Sequence, residues 1–288
     1  SSFCLRIDRI FQARRLLRDW SFTRSYSMSS KLRLDELLFG KGMSESRSKA
    51  SELIKAGRVS VEGSIVEKPG FRVDVESRIA ITGGKQPVGR GYYKLEKALE
   101  FFGLDVSGKE VVDLGSSTGG FTQLLLEKGA RRVVAVDVGK NQLHPSLKND
   151  ERVVSLEERD LRELTLEMVG GSVDLVTVDL SFIPTSSVAR EISELLKDGG
   201  LCVSLVKPQF EAGPGKIHKG VVKSRAIHVE VLERSIKSFG EAGLYAQNLT
   251  FSPIRGKNGN IEYLLLTVKK QIFVDIDTWF IVDRAFSL

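Results

Sequence analysis

Residues 111–121 restrict the possible fold more than any other part of the chain. They read Val-Val-Asp-Leu-Gly-Ser-Ser-Thr-Gly-Gly-Phe, in which an apolar run leads into a glycine-rich turn and then into an apolar segment at 120–128. Glycine lets a backbone approach a ligand closely, and the first N–H groups of a helix have no partner within the helix. The segment therefore predicts a buried strand, a ligand-binding turn and a helix in succession.

The same alternation of short apolar strands and amphipathic helices extends over residues 94–270. It is typical of an α/β fold in which helices cover both faces of a mostly parallel sheet. We therefore predict a Rossmann-like, doubly wound sheet. The predicted strands are 111–114, 132–138, 153–157, 174–180, 200–206, 246–251 and 262–268, and the predicted helices are 94–103, 120–128, 185–197 and 226–242.

Two acids beside the turn indicate which ligand it binds. Asp137 ends the second strand, where a carboxylate can bind both hydroxyls of a ribose. Asp113 ends the first strand, before Gly-Ser-Ser-Thr-Gly-Gly rather than the G-x-G-x-x-G that cradles a dinucleotide pyrophosphate. A carboxylate there repels pyrophosphate and accepts the ammonium group of a methionine moiety. The pattern favours S-adenosylmethionine over NAD.

Asp160 follows the third predicted strand and has two interpretations. It could accept the amine of the adenine ring, or it could cap the segment that begins at Leu161. The predicted cofactor-binding residues are Asp113, Gly115, Ser116, Ser117, Thr118, Gly119, Gly120, Phe121, Asp137, Asp160 and Asp179.

Four charged residues lie at the ends of predicted elements. Lys94 opens the first helix of the domain, Asp179 and Lys207 end two strands, and Glu262 opens the last strand. The carboxyl ends of parallel strands border the ligand crevice of such a sheet. We expect the four side chains to converge there as catalytic residues.

Residues 31–82 predict a separate α+β domain. Two short helices, the second capped by Ser44 or Ser46, precede a hairpin at Glu62-Gly63 and one further pair of short strands around Val73 and Ile81. The pattern resembles the small RNA-binding domain shared by a small-subunit ribosomal protein, pseudouridine synthases and tyrosyl-tRNA synthetases. A glycine-rich linker is predicted at 83–93.

The net charge of +6 favours a polyanionic partner. Residues 31–82 hold ten basic and eight acidic side chains, so binding there depends on where the cations lie. Backbone phosphates are the expected targets of such clusters. The predicted RNA-binding residues are Arg33, Arg47, Lys49, Lys55, Arg58, Lys68 and Arg90.

The Lys…Asp…Lys…Glu set resembles that of FtsJ-type ribose 2′-O-methyltransferases. The longer pattern resembles the TlyA (hemolysin A) family over roughly residues 32–270: Arg-Gly-x-x-Lys-Leu, Asp-x-Gly-Ser-Ser-Thr-Gly-Gly-Phe-Thr, Ala-Val-Asp-Val-Gly, Asp-x-Ser-Phe-Ile, Lys-Pro-Gln-Phe-Glu and Gly-Asn-x-Glu. The resemblance implies an enzyme that couples the small RNA-binding domain to a methyltransferase and modifies cytidine ribose in ribosomal RNA.

The chemistry of that reaction assigns a role to each member of the set. Lys207 is the expected general base for the 2′-hydroxyl, and the charge of Lys94 together with exclusion of water would favour its neutral form. Asp179 and Glu262 would position the two lysines. We expect the loop 211–223 to close over the site. Two distant cysteines and three scattered histidines predict no metal site.

The two ends of the chain differ from the rest. Residues 1–30 contain six arginines and many serines but neither glutamate nor lysine, which is typical of a transit peptide and predicts a mitochondrial or chloroplast location. A basic tail that touches nucleic acid, on a cytoplasmic protein, is the alternative. Residues 271–288 fit neither domain, and Trp279 and Phe280 there would pack on the surface or lie loose.

Three other functions are open from the sequence. A ribosome assembly factor with a vestigial cofactor pocket would keep the fold without turnover, and DNA or protein methylation would use another substrate. A hemolysin-like, membrane-active protein would need an apolar segment, and no run here approaches the roughly 18 residues of a membrane-spanning helix. We therefore expect an RNA partner and neither DNA nor a membrane.

Overall fold

The computed structural model describes residues 31–81, 87–213 and 215–287. The chain forms two units, one ending at Gln86 and the other beginning at Pro87. The predicted transit peptide, 1–30, and the first part of the predicted linker lie outside the described residues.

The N-terminal unit contains two helices and two small antiparallel sheets, with Leu34, Leu38, Ile54 and Val59 fully buried between them. Ser46 caps the second helix, since its side-chain oxygen accepts a hydrogen bond from the backbone N–H of residue 49 at 3.1 Å. The elements are β1 (Lys31–Arg33), α1 (Leu34–Gly40), α2 (Arg47–Lys55), β2 (Val59–Val61), β3 (Ser64–Ile65), β4 (Arg72–Asp74) and β5 (Ile79–Ile81).

The expected pairing of the last two strands of this unit is wrong. β4 pairs with β1, where Val73 lies opposite Leu32, and β5 pairs with the free edge of β2. The hairpin β2–β3 is as predicted. Alternation of apolar residues identifies a strand but not its partner, so the sequence could not distinguish these arrangements.

The second unit is built on a seven-stranded sheet. Its strands are β6 (Glu110–Leu114), β7 (Arg132–Val136), β8 (Val153–Leu156), β9 (Val173–Val178), β10 (Leu196–Val206), β11 (Tyr245–Phe251) and β12 (Tyr263–Val268), in the order β11-β12-β10-β9-β6-β7-β8. The ladders from β10 to β8 are parallel, and β12 runs antiparallel to both of its neighbours. The expected mostly parallel sheet is confirmed.

Helices cover both faces of this sheet. Val111 packs with Leu95 and Leu124 on one face, while the adjacent Val112 packs with Ile192 and Phe239 on the other. The helices are α3 (Gly91–Phe102), α4 (Gly120–Glu127), α5 (Pro145–Lys148), α6 (Leu166–Val169), α7 (Ala189–Leu195), α8 (Pro208–Glu211), α9 (Arg225–Glu241) and α10 (Thr278–Phe286), with 3-10 turns at Leu161–Glu163, Thr185–Val188 and Lys257–Gly259.

The C-terminal segment belongs to this unit, which corrects the expectation that residues 271–288 fit neither domain. Asp277 caps α10, and α10 packs on α9 and buries Val282 and Ala285. Trp279 and Phe280 are about half exposed on its outer side.

Within the described residues, no helix has the length and apolar character to cross a membrane.

Candidate active site

The topology brings three of the four predicted catalytic residues to one edge of the sheet. Asp179 directly follows β9 and Lys207 directly follows β10, so both lie at the carboxyl ends of parallel strands. Glu262 directly precedes β12, and because β12 is antiparallel to β10, its start lies at the same edge. Lys94 reaches this edge from α3.

The four side chains form one continuous chain of ion pairs. Nζ of Lys94 lies 2.8 Å from Oε2 of Glu262 and 3.9 Å from Oδ2 of Asp179. Nζ of Lys207 lies 2.6 Å from Oδ1 of Asp179. All four side chains are largely buried, with Glu262 only 3% exposed. We call these residues, Lys94, Asp179, Lys207 and Glu262, the tetrad.

The environment of Lys94 keeps it charged. Burial lowers the pKa of Lys94, but the negative charges of Asp179 and Glu262 outweigh burial and hold that pKa above its usual value. Lys207 has different neighbours: besides Asp179, its ammonium group donates to the hydroxyl of Ser181 at 3.2 Å. The structure therefore places an acid and a hydroxyl group directly beside Lys207, which the expectation based on Lys94 did not include.

Gln209 belongs to the same cluster, although the sequence analysis did not assign it a role. Its amide nitrogen donates to Oε1 of Glu262 at 2.9 Å, while Lys94 holds the other carboxylate oxygen. Both oxygens of Glu262 are thus fixed. The signal that could have found Gln209 is its place two residues after Lys207, at the start of α8.

The glycine-rich turn lies against the tetrad. Gly115 has φ +80°, and a Cβ there would lie 2.5 Å from the carbonyl oxygen of Asp179. A Cβ at Gly120 would lie 2.8 Å from the backbone nitrogen of Tyr92 at the start of α3. These positions therefore need glycine because neighbouring backbone segments approach them closely.

The turn and the tetrad together line a cavity of about 630 Å³. Of the predicted cofactor residues, Gly115, Ser116, Ser117, Thr118, Gly120, Phe121 and Asp179 line it. Asp137 lies at the end of β7 and holds the turn, because its carboxylate accepts hydrogen bonds from the backbone N–H groups of Ser117 and Gly139 at 2.8 and 2.7 Å.

Asp113 does not line this cavity, contrary to the expectation of a direct contact with an amine. It is fully buried, and its two oxygens accept hydrogen bonds from the hydroxyls of Thr122 and Thr177 at 2.7 and 2.9 Å. Burial raises its pKa to about 6, against the effect of these two hydrogen bonds. Asp113 thus joins β6, α4 and β9 beneath the turn.

Asp160 adopts the capping arrangement. Its carboxylate accepts from the backbone N–H of Arg162 at 3.0 Å and pairs with the guanidinium of the same residue. The hydrogen bonds from Arg162 lower the pKa of Asp160 to about 2. A role in binding adenine stays a prediction.

Among the described residues, no group of three or more His, Cys, Asp or Glu side chains could hold a metal ion.

The predicted RNA-binding residues lie in both units. In the N-terminal unit Arg33 and Arg47 pair with Asp35 and Glu36, and Lys49 pairs with Glu52. The Lys49–Glu52 pair is exposed and contributes little to stability, whereas Asp35 is buried and is held by both arginines. The other three there are Lys55 and Lys68, which are exposed, and Arg58, which is partly buried; Arg90 lies in the second unit, on the wall of the cavity.

Two aromatic residues at the cavity were not predicted either. Phe182 is 84% exposed and has φ +72°, an unusual conformation for a bulky residue. Its ring centroid lies 5.5 Å from that of Phe210, which follows Gln209 in α8. Both rings line the cavity, so it combines charged, backbone and aromatic surfaces.

Two family models match the chain. Residues 87–269 match the FtsJ-like methyltransferase, and residues 32–79 match the S4 domain. The 16S/23S rRNA (cytidine-2′-O)-methyltransferase TlyA of Mycobacterium tuberculosis is 41% identical over 241 residues, which cover 83% of this chain and 90% of the relative. Hemolysin A of Brachyspira hyodysenteriae is 40% identical over 81% of this chain and 98% of its own length.

A solved structure supports the same assignment. A candidate hemolysin from Streptococcus thermophilus is 37% identical, with a TM-score of 0.69 over 90% of this chain and 97% of that chain. The matches cover most of both partners, and the motifs of the turn and the tetrad fall within them. The chain therefore belongs to the TlyA family, in which an S4 domain precedes an FtsJ-like methyltransferase domain.

Proposed function

We propose that this protein is an enzyme that transfers a methyl group from S-adenosylmethionine to a ribose 2′-hydroxyl of ribosomal RNA, with cytidine as the target nucleoside. The observation that carries the proposal is the buried tetrad facing the glycine-rich turn across one cavity. The relative from Mycobacterium tuberculosis supports the choice of nucleoside and of ribosomal RNA.

The cavity suits S-adenosylmethionine in size and in lining. A volume of about 630 Å³ lies within the range of small-molecule sites. The turn presents Ser116, Ser117 and Thr118 to the cavity beside the start of α4. Asp137, whose carboxylate holds the turn through the N–H of Ser117, is the proposed acceptor for ribose hydroxyls. When bound, S-adenosylmethionine supplies a methyl group that is already activated by its sulfonium.

The residues of the tetrad then have to orient and deprotonate the hydroxyl. Lys207 is the proposed base, because two acids hold Lys94 in its charged form, whereas among the described acids only Asp179 pairs with Lys207. Lys207 must first lose one proton to solvent; its neutral amine then takes the 2′-proton, and the carboxylate of Asp179 stabilises the ammonium group that forms. Gln209 holds Glu262, and Glu262 holds Lys94, so Lys94 keeps its position as the charged lysine of the site.

Recognition of RNA is assigned to two places. Exposed cations of the S4 domain would contact backbone phosphates. At the catalytic cavity, the exposed ring of Phe182 offers a surface on which an unstacked base can lie, which is how single-stranded RNA is commonly read. Lys207 then meets the ribose of that nucleotide.

The direct test is methyl transfer from isotopically labelled S-adenosylmethionine to purified ribosomal RNA, followed by mapping of 2′-O-methyl groups. Wild-type protein should label RNA at a ribose, and Lys207→Ala should bind the cofactor in calorimetry without transferring its methyl group. Tight cofactor binding with no transfer by the wild type to any ribosomal RNA would instead support the assembly-factor alternative.

We also propose that residues 1–30 direct the protein to a mitochondrion or a plastid, on the basis of their arginine- and serine-rich composition. The test is a fusion of this segment to a fluorescent reporter, with the six arginines replaced by glutamine as the control. A diffuse signal from the unmodified fusion would favour the basic-tail alternative.

A further inference from the structure

The segment between β11 and β12 carries two cations that the mechanism does not use. Arg255 and Lys257 are both exposed and both line the catalytic cavity. In the part of the chain that the structure describes, neither has a carboxylate within 4.0 Å, whereas Lys94 and Lys207 in the same cavity are both paired with acids. The positive charge of this segment is therefore not neutralised locally.

The segment is held in place by buried hydrogen bonds. Asn260 is only 2% exposed, and its amide nitrogen donates to the carbonyl oxygens of Lys257 at 2.9 Å and Gly220 at 2.7 Å. Its amide oxygen accepts from the backbone N–H of Val222 at 3.3 Å. The two cations thus project from a positioned loop, and Asn260 also ties that loop to the 211–223 loop across the cavity.

Arg90 joins the same wall from the start of α3. Its guanidinium donates to the carbonyl oxygen of Arg255 at 2.9 Å. Five cationic side chains and two acidic ones line the cavity, and the two acids are the members of the tetrad that already balance Lys94 and Lys207. The positive charge of the lining therefore exceeds the negative charge, and Arg255 and Lys257 contribute to this excess next to Arg90.

We propose that Arg255 and Lys257, together with Arg90, form a phosphate-binding wall that holds the RNA backbone beside the target ribose. The proposal rests on the proposed function and deepens it. S-adenosylmethionine has a net positive charge, so the cofactor as a whole does not account for the cations Arg255 and Lys257, which have no described carboxylate nearby, whereas each nucleotide next to the target brings one phosphodiester charge. Phosphate contacts fix the register of a strand without reading its bases, which is what in-line transfer to one ribose requires.

The test measures how salt affects binding of the full chain to a fluorescent single-stranded RNA oligonucleotide. Lys257→Gln and Arg255→Gln should each lower the slope of log affinity against log salt by about 0.7. In methyl transfer, each should raise the KM for ribosomal RNA roughly tenfold, while the affinity for S-adenosylmethionine stays unchanged. Matched controls are Lys237→Gln on α9 and Arg190→Gln on α7, whose side chains are 78% and 85% exposed and do not line the cavity.

Arg255 needs a second variant because its guanidinium also donates to the carbonyl oxygen of Ala285 at 3.4 Å. Arg255→Lys keeps the charge and should keep the wild-type salt slope, and the thermal midpoint of each variant reports on folding. Slopes equal to wild type in Lys257→Gln and Arg255→Gln, or equal losses in the two controls, would overturn the phosphate wall. Failure of the wild type to methylate any ribosomal RNA would overturn the proposed function, and the binding slopes would still be measurable.

Discussion

Asp179 bridges the two lysines of the site, with Oδ1 2.6 Å from Nζ of Lys207 and Oδ2 3.9 Å from Nζ of Lys94. The bridge is asymmetric, since Lys94 has a second and closer acid in Glu262. Removal of one lysine should therefore have a different consequence from removal of the other. Lys207 is the proposed proton acceptor, and the two acids beside Lys94 keep Lys94 charged.

The first prediction concerns Lys207. Lys207→Ala should lower the rate of methyl transfer by about 10²–10⁴, the usual contribution of a general base, with cofactor affinity preserved. Lys207→Arg should be nearly as slow, because a guanidinium stays protonated and cannot accept the 2′-proton. Single-turnover transfer to ribosomal RNA measures both variants across pH, with Lys237→Arg as the control.

The pH profile separates a base from a positioning cation. For a base, the wild-type rate rises with pH until Lys207 is neutral, and this limb is missing in both variants. For a cation that only orients the substrate, Lys207→Arg would keep most of the activity together with the wild-type profile. That second outcome would falsify the assignment of Lys207 as the base.

A second prediction uses the contact between Gly256 and Glu262. Gly256 has an ordinary φ of −71°, but a Cβ there would lie 2.1 Å from Oε1 of Glu262. Gly256→Ala should therefore push the carboxylate away from Lys94 and Gln209 while the fold survives, since a side chain rather than the backbone has to move. We expect the rate of methyl transfer to fall at least tenfold, which corresponds to an increase of roughly 1.4 kcal/mol in the activation free energy. The thermal midpoint should change little.

The matched control is Gly240→Ala in α9, where a Cβ meets nothing within 4 Å. Replacing a helical glycine by alanine there should stabilise the protein by about 0.5–1 kcal/mol and leave the rate unchanged. If Gly256→Ala transfers methyl groups at the wild-type rate, the position of Glu262 is not important for the reaction.

How far the sequence predicts this site depends on whether a residue lies at the end of a strand. Asp179, Lys207 and Glu262 could be placed together because strand ends in such a sheet meet at one edge. Arg255 and Phe182 lie in irregular loops, and their position depends on hydrogen bonds that no periodicity encodes. The strands of the large sheet were predictable to within a few residues because short, nearly continuous apolar runs are typical of strands buried on both faces.

Asp113 shows a different limit of prediction. Its place before the turn was correct, but the sequence gives no sign that Thr122 and Thr177 would occupy both carboxylate oxygens. A motif residue can therefore hold the ligand-binding turn from beneath rather than touch the ligand. The position of α10 was equally hard to predict, because the sequence does not show that its apolar residues pack on α9.

The third prediction follows from the buried carboxyl group of Asp113. Burial raises its pKa to about 6 from an ordinary 3.8, so the folded state binds this proton more tightly than the unfolded state. The contribution to stability is complete below about pH 4 and is lost as pH rises to about 6. Over this interval the free energy of unfolding should fall by roughly 2–3 kcal/mol from this group.

Asp113→Asn should remove that fall, because the amide does not ionise. Urea unfolding between pH 4 and 7 gives the free energy of unfolding of the wild type and of the variant. In the difference between these two free energies, the contributions of the other titrating groups cancel. Asp198→Asn, at an exposed carboxyl group, is the control. A constant difference between wild type and Asp113→Asn over the whole interval would show that Asp113 does not titrate there.

The fourth prediction concerns Glu211, which anchors the segment that carries Phe182. Glu211 is 5% exposed; its Oε1 accepts from the backbone N–H groups of Thr185 and Ser186 at 2.8 and 3.4 Å, and its Oε2 accepts from the hydroxyl of Ser186 at 2.6 Å. Glu211→Ala leaves these donors without a partner, at a cost of roughly 1–3 kcal/mol. Glu211→Gln should cost less, since its amide oxygen can still accept from both N–H groups while its nitrogen donates to Ser186.

Activity measurements show whether Glu211 positions the 181–188 segment or only stabilises the fold. Because the segment presents Ser181 and Phe182 to the cavity, Glu211→Ala should raise the KM for ribosomal RNA several-fold more than Glu211→Gln does, with the affinity for S-adenosylmethionine unchanged in both. Methyl-transfer kinetics and cofactor calorimetry are measured well below the melting temperature of either variant, so that both remain folded. Equal KM values in Glu211→Ala and the wild type would mean that the 181–188 segment keeps its position without this carboxylate, and that Glu211 contributes to stability alone.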